Sequence, residues 1–179
     1  DYLKNPLEIF AVWRGGMSFH GGLIGSIAAG ILFCKRFRLD YWQVSDLVVV
    51  TAPIGLGLGR LGNFINGELY GRVTNVPWAM GFPSGGPLPR HPSQLYEFLL
   101  EGVVLFTILW FLKDRILKLG ILSSLFLILY GMFRFLVEFF REPDPQLGFI
   151  FTYFTMGQTL SAVMLLVGMG ILFYRRSRQ

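Results

Sequence analysis

The residues best suited to chemistry in this sequence stand where long apolar runs end. Residues 55–71 read GLGLGRLGNFINGELYG, so an apolar run with many glycines ends in a polar patch that holds Arg60, Asn63, Asn66 and Glu68. Arg60 and Asn63 are three residues apart, and a helix would place them on one face. The glycines leave room for another backbone or a lipid to come close. We therefore expect this stretch to form the rim of a site.

A second polar set lies on a later apolar segment. Tyr130, Arg134, Glu138 and Arg141 are spaced so that they line one stripe of a helix. One carboxylate between two guanidinium groups leaves surplus positive charge in an apolar wall, and that charge favours an anionic ligand. Guanidinium groups bind phosphate through two parallel hydrogen bonds. The alternative is a neutral ladder that only holds helices together.

Weaker signals accompany these two sets. His20 lies in MSFHGG, where two glycines leave space beside it, and His91 is the only other histidine. Gln94, Glu97 and Glu101 share one helix face, and we weigh a functional role and a merely interfacial one equally.

Several chemistries are excluded. Residues 57–62 match GxGxxG, but no alternation of strands and helices surrounds them, so we reject a nucleotide site. The sequence contains neither GxSxG nor HExxH, which removes support for a hydrolase or a zinc enzyme. A single cysteine, Cys34, excludes an internal disulfide and a cysteine metal site. We expect no metal and no cofactor.

The composition predicts the elements that position these residues. The chain has 179 residues, of which 53% are hydrophobic and only 15% charged, and its mean hydropathy is +0.54. A soluble domain of this size needs more surface charge. The basic residues cluster at the ends of apolar segments and form no nucleic-acid platform. We predict an all-α, polytopic transmembrane helix bundle over residues 1–179, a single integral membrane domain.

Five apolar segments, at 20–34, 44–64, 95–112, 119–140 and 153–174, predict the spans. If the spans alternate in direction, nine of the 16 Lys and Arg residues fall on one side. The positive-inside rule makes that side cytoplasmic, together with the C-terminus. The polar residues described above then lie toward the outer side, and the Gly- and Pro-rich residues 66–92 form an outer-face loop or cap.

Four stretches, MSFHGGLIG, GRLGNFINGELYG, RHPSQLYE and RFLVEFFREPD, closely resemble the bacterial prolipoprotein diacylglyceryl transferases. The resemblance implies transfer of the diacylglyceryl group of phosphatidylglycerol to the thiol of the lipobox cysteine of a prolipoprotein, at the outer side of the bacterial inner membrane. It implies functional roles at seven positions: His20, Arg60, Asn63, Glu68, Gly71, Arg134 and Glu138. Family members also carry helices before the first segment here, and we expect the parent protein to contain them.

The proposed chemistry needs a base and an anion site. A cysteine thiol with a pKa of about 8.5 must lose its proton before it attacks. His20 is our candidate base, with Glu68 and His91 as competitors. Arg60 and Arg134 are the other expected catalytic residues, since they would stabilise the leaving glycerol phosphate.

The substrate-binding residues that we expect are Arg60, Asn63, Asn66, Glu68, Gly71, Tyr130, Glu138 and Arg141. Glu138 would orient Arg134, and Arg141, one turn nearer to water, would help to capture the headgroup. The expected partners are phosphatidylglycerol, the prolipoprotein signal peptide and the bilayer, without nucleic acid. A bundle that binds or transports an anionic phospholipid without catalysis remains the alternative.

Overall fold

Five long helices and one short strand pair make up the part of the chain that the computed structural model describes, which is residues 19–115, 118–142, 149–150 and 154–177. The elements are α1 (Phe19–Phe37), α2 (Tyr41–Ile65), α3 (Ser93–Leu112), α4 (Ile121–Val137), β1 (Phe149–Ile150), β2 (Phe154–Thr155) and α5 (Met156–Ser177). The antiparallel strands pair Phe149 with Thr155 and Ile150 with Phe154. The predicted helical bundle is thus confirmed, with this two-residue ribbon added.

Three of these helices, α2, α3 and α5, are long and apolar enough to cross a membrane, and α4 is a shorter apolar helix. Each of the five predicted segments overlaps one helix. The chain divides into two compact units, Asp1–Val44 and Ser45–Gln179. The first unit holds α1 and the first residues of α2, and the second holds the other elements together with the rest of α2.

Local signals explain the ends of the helices in the first unit. Helix α1 closes with Lys35 and Arg36 in its last turn, where positive charge complements the helix dipole. The chain then turns through Arg38, which has a left-handed φ of 56°. Asp40 begins α2, because its Oδ1 accepts hydrogen bonds from the backbone N–H groups of Trp42 at 2.8 Å and Gln43 at 3.1 Å.

Close contacts at glycines hold the second unit together. A methyl group at Gly102 of α3 would lie 2.9 Å from the Cα atom of Gly57 in α2. A methyl group at Gly131 of α4 would lie 2.9 Å from the carbonyl oxygen of Ser161 in α5. Small residues permit such backbone approaches between membrane helices. The core between the helices consists of Val50, Leu105, Leu109, Leu122, Tyr130 and Phe133.

Asp46 of α2 caps the N-terminus of α4. Its carboxylate accepts hydrogen bonds from the backbone N–H groups of Gly120 at 2.6 Å and Ser123 at 2.8 Å, and from the Ser123 hydroxyl at 2.6 Å. The first amides of a helix have no partners within the helix. Here the buried Asp46 carboxylate on the neighbouring helix is the acceptor for these amides, and it fixes α4 against α2.

Helix α4 ends at Val137, three residues before the predicted end. The chain turns after Glu138, and Arg141 forms an isolated antiparallel bridge with Gly71. Arg141 therefore does not belong to the helical stripe, although Tyr130, Arg134 and Glu138 do. Loop 66–92 contains a 3-10 turn at Pro83–Gly85 and bridges from Arg90 to Val73 and Met80. The role of this loop as an outer-face cap stays a prediction.

Candidate active site

The contact between Gly57 and Gly102 brings Arg60 of α2 against two carboxylates of α3. Arg60 Nε lies 3.1 Å from Glu97 Oε2, and its Nη2 lies 3.6 Å from Glu101 Oε2. Both glutamates are completely buried. Glu101 and Gly102 lie in a π-helical segment of α3, Phe98–Val104, and such segments are frequent at functional sites.

Glu97 joins the two predicted guanidinium groups. Its Oε1 accepts a hydrogen bond from Arg134 Nη1, while its Oε2 faces Arg60. Arg134 Nη2 also lies 3.2 Å from Oε2 of Glu138, the residue that directly follows α4. The structure thus brings Arg60 and Arg134 together across α2, α3 and α4, and a single carboxylate lies between them.

The expected surplus of positive charge on α4 is wrong as an account of the whole site. The sequence pattern sets Glu138 against Arg134 and Arg141, but Glu97 and Glu101 from α3 add two carboxylates, and Arg60 adds one guanidinium. The cluster therefore holds three guanidinium groups and three carboxylates. Only tertiary packing reveals this balance. We call these six residues, Arg60, Glu97, Glu101, Arg134, Glu138 and Arg141, the charge cluster.

The start of α5 positions Glu138. Its Oε1 accepts a hydrogen bond of 2.8 Å from the Thr155 hydroxyl, and its carboxylate packs so closely on Gly157 that a methyl group there would lie 2.6 Å away. Thr155 and Gln158 form a reciprocal cap, in which each side chain bonds the backbone N–H of the other at 3.2 Å. The Thr155 hydroxyl therefore caps the start of α5 and also donates a hydrogen bond to Glu138.

Arg141 is buried, whereas we expected it one turn nearer to water. Its Nη1 lies 3.8 Å from Glu138 Oε2, and its carbonyl oxygen accepts a 2.9 Å hydrogen bond from Arg72 Nε. An isolated backbone bridge pairs Arg141 with Gly71. A methyl group at Gly71 would lie 2.5 Å from the carbonyl oxygen of Phe140, so this position requires glycine for the close approach of two chain segments.

The predicted rim residues do meet at the end of α2. Glu68 Oε1 accepts hydrogen bonds from Asn63 Nδ2 at 2.9 Å and Asn66 Nδ2 at 3.3 Å. The Glu68 carbonyl oxygen accepts a 2.7 Å bond from Nε2 of the buried Gln94 in α3. Glu68 itself is exposed. The rim is therefore tied to the first turn of the helix that carries Glu97 and Glu101.

Three predicted residues remain: Tyr130, His91 and His20. Tyr130 is buried in the core and stacks on Phe126, with ring centroids 5.8 Å apart. His91 is engaged by Tyr96, whose hydroxyl lies 3.1 Å from His91 Nδ1 and accepts a 2.7 Å hydrogen bond from Trp78 Nε1. The backbone of His20 lies in the first turn of α1, but its side chain is outside the described residues. Its role stays a prediction.

The sequence left Glu97 and Glu101 undecided between a functional and an interfacial role, and Thr155 and Gln158 are not among the predicted site residues. The common helix face of Gln94, Glu97 and Glu101 was the available signal, because three polar residues on one face of an apolar segment are costly in a membrane. Thr155 and Gln158 fit the Thr-x-x-Gln capping pattern, which is readable from sequence.

The chemistry that this arrangement supports is anion binding by largely buried guanidinium groups. Fixed guanidinium groups away from water stabilise negative charge more strongly than they do in solvent. Within the described residues, no group of three His, Cys, Asp or Glu side chains has the arrangement of a metal site. The apolar helices and the buried charge cluster define the class: a multi-pass helical membrane protein with a polar site inside its bundle.

Comparison with known proteins narrows this class. The family model described as prolipoprotein diacylglyceryl transferase matches residues 1–174. The chain belongs to that family.

Individual relatives agree. The chain is 59% identical over 180 residues to the phosphatidylglycerol--prolipoprotein diacylglyceryl transferase of Desulfotalea psychrophila, covering 97% of this chain and 66% of the relative. It is 58% identical over 169 residues to the protein of the same name from Coxiella burnetii, covering 94% and 65%. For the one from Geobacter sulfurreducens, the identity is 57% over 177 residues, covering 98% and 68%. The chain thus spans about two thirds of the length of these relatives.

Proposed function

We propose that the protein containing this chain transfers the diacylglyceryl group of phosphatidylglycerol to the lipobox cysteine of prolipoproteins. The observation that carries the proposal is the convergence of Arg60 and Arg134 on Glu97 inside an apolar bundle. Two guanidinium groups from different helices can take the two free oxygens of a phosphodiester. The family membership supplies the reaction class.

The reaction needs a displacement at the glyceryl carbon that bears the phosphate oxygen. The cysteine thiolate forms the new carbon–sulfur bond, and the carbon–oxygen bond breaks with its electron pair moving onto the departing glycerol phosphate. Arg60 and Arg134 stabilise the charge that develops on that oxygen. Glu138, held by Thr155, orients Arg134 through their 3.2 Å contact. The thiol proton goes to a base, for which His20 is our first candidate.

An apolar groove formed by the loop, by α3 and by residues around the end of α4 suits the lipid part of the substrate. The groove has a volume of about 440 Å³. It is lined by aromatic and aliphatic residues of the loop, of α3 and of the end of α4, including Trp78, Tyr96, Leu100, Val137 and Phe140. Leu100 and Val137 directly precede Glu101 and Glu138 in the chain, and we place one acyl chain of the lipid in this groove.

We place the protein in the bacterial inner membrane, with the site toward the periplasm and the C-terminus in the cytoplasm. Lys113 and Asp114 after α3, and Arg175 and Arg176 in the last turn of α5, lie at the ends assigned to the cytoplasm. The clustering of basic residues supports this orientation. We also retain the single membrane domain and the additional N-terminal helices as parts of the proposal.

The substitution Arg134→Lys tests catalysis against simple helix bracing. Lysine keeps the charge but loses the planar fork, so a bracing residue would tolerate the change. We expect a loss of at least about 100-fold in thioether formation on a lipobox peptide with phosphatidylglycerol vesicles, at unchanged membrane abundance. Near-normal activity would refute the role of Arg134 and favour a protein that only binds anionic lipid.

The pH profile of His20→Gln tests the base. General-base assistance contributes about 10² to 10⁴ in rate, and a thiol that is already ionised needs less of it. We expect the variant to recover activity as the pH passes the thiol pKa of about 8.5. A loss that is constant with pH would remove His20 as the base and leave Glu68 or His91.

A further inference from the structure

Charge balance in the charge cluster restricts how an anion can enter it. With every group ionised, three guanidinium groups and three carboxylates sum to zero. The surroundings are apolar membrane helices, where a net buried charge is costly. A phosphodiester headgroup brings one negative charge, so it would leave the occupied site with one charge too many.

We infer that binding of the phosphodiester headgroup is coupled to the uptake of one proton by Glu101. The inference rests on the proposed function, because it takes the anionic lipid as the ligand. A carboxylate that accepts a proton removes the excess charge without moving any helix. The three carboxylates of the cluster differ in what this protonation would cost.

Glu97 and Glu138 each accept a hydrogen bond through Oε1, whereas the described contact of Glu101 is the longer one of 3.6 Å with Arg60 Nη2. Glu97 accepts a bond from Arg134, and Glu138 accepts one from the Thr155 hydroxyl. Among the described residues, neither oxygen of Glu101 has a hydrogen-bond partner, although the side chain is completely buried. Bonds to the charged form favour that form, and burial without them favours the neutral acid.

The charged neighbours of Glu101 also favour it as the group that takes up the proton. Within the described residues, the titratable groups that act on it are Arg60 from α2, Arg134 and Tyr130 from α4, and Glu97 from its own helix. Its contact with Arg60 is 3.6 Å, longer than the 3.1 Å contact between Arg60 and Glu97. When the headgroup takes Arg60 and Arg134, Glu101 loses the two positive charges that favour its ionised form.

Calorimetric titration with phosphatidylglycerol in mixed micelles tests the inference directly. The heat of binding is measured for the intact protein in two buffers of different ionisation enthalpy, which gives the number of protons taken up. We expect about one proton for the unmodified protein, and an affinity that falls as much as tenfold per pH unit at the alkaline end of the range. Zwitterionic phosphatidylethanolamine, which adds no net charge, should cause no uptake.

Two variants sharpen the test. Glu101→Gln is permanently neutral, so we expect it to bind phosphatidylglycerol without proton uptake and with an affinity that does not vary with pH. Glu142→Gln removes a carboxylate that is 44% exposed and pairs with Arg90 at 3.2 Å, and it should retain the uptake of about one proton. Lost binding in a folded Glu101→Gln protein would overturn the inference, because it would show that the site needs the negative charge.

If Glu101→Gln does not fold, the proton uptake of the unmodified protein still tests the inference. Binding of phosphatidylglycerol with no proton uptake would overturn the inference while leaving the proposed transfer reaction intact, and that reaction is measured separately by thioether formation. Absence of both binding and thioether formation would overturn the proposed function and the inference with it.

Discussion

Replacing Glu97 by glutamine removes a carboxylate that contacts both Arg60 and Arg134. Glutamine has the same shape, but its amide group would turn hydrogen-bond donors toward a guanidinium that is itself a donor. Removing one partner of a buried ion pair costs about 3–5 kcal/mol, because the other charge stays buried without compensation. Glu101 and Glu138 still neutralise part of the charge, so we expect a loss of about 3 kcal/mol, at the low end of that range.

Unfolding in mixed micelles with increasing SDS measures this free energy. A loss of about 3 kcal/mol corresponds to a shift of roughly 100-fold in the unfolding equilibrium. We also expect thioether formation to fall severely, and raising the pH should not restore it, since no proton is missing. The matched control is Glu142→Gln, the same chemical change at a half-exposed pair, for which we expect less than about 1 kcal/mol.

A loss of stability below about 1 kcal/mol in Glu97→Gln would refute this reasoning. It would mean that water reaches the charge cluster and screens it, and that the guanidinium groups do not depend on Glu97. Equal effects of Glu97→Gln and Glu142→Gln would lead to the same conclusion.

Three further changes test the packing and the topology. Gly102→Ala should cost about 1–3 kcal/mol in stability, because the added methyl group would lie 2.9 Å from the Gly57 Cα atom. It should also reduce activity, because it would push Arg60 away from Glu97. Gly59→Ala is the matched control, since a methyl group there would have no described atom within 4 Å. Asp46→Ala should cost at least about 1–3 kcal/mol in the same unfolding assay, since it leaves buried amides of α4 without partners. The orientation is tested with a cysteine in place of Asp114, whose side chain is 81% exposed, in a protein whose Cys34, 3% exposed, has been changed to alanine. This cysteine should react with an impermeant thiol reagent only after permeabilisation. Labelling of intact cells would reverse the orientation.

The helices were predictable because apolar length is a local property of the chain. A run of about 20 apolar residues must form a helix in hydrocarbon, where every backbone amide needs a partner within the segment. The stripe from Tyr130 to Glu138 was predictable for the same reason, since residues four apart always share a helix face. The contact between Arg134 and Glu138 follows directly from this geometry.

The end of α4 was less predictable, because the chain after Val137 remains apolar through Phe139 and Phe140. Hydropathy alone extends the helix across these residues. The bridge between Arg141 and Gly71 ends it, and that bridge depends on a segment 70 positions earlier in the chain. Arg141 therefore lies outside the helical stripe because of a contact that is distant in sequence, and local sequence patterns do not predict such a contact.

The balance of charge in the site was decided by tertiary structure alone. Sequence spacing shows that Glu97 and Glu101 share a face of α3, but it does not show which helix that face meets. The absence of side chains at Gly57 and Gly102 lets α2 and α3 approach closely enough for Arg60 to meet both glutamates. Electrostatic pairing depends on distances of a few ångströms between separate helices, and only the packed bundle sets those distances.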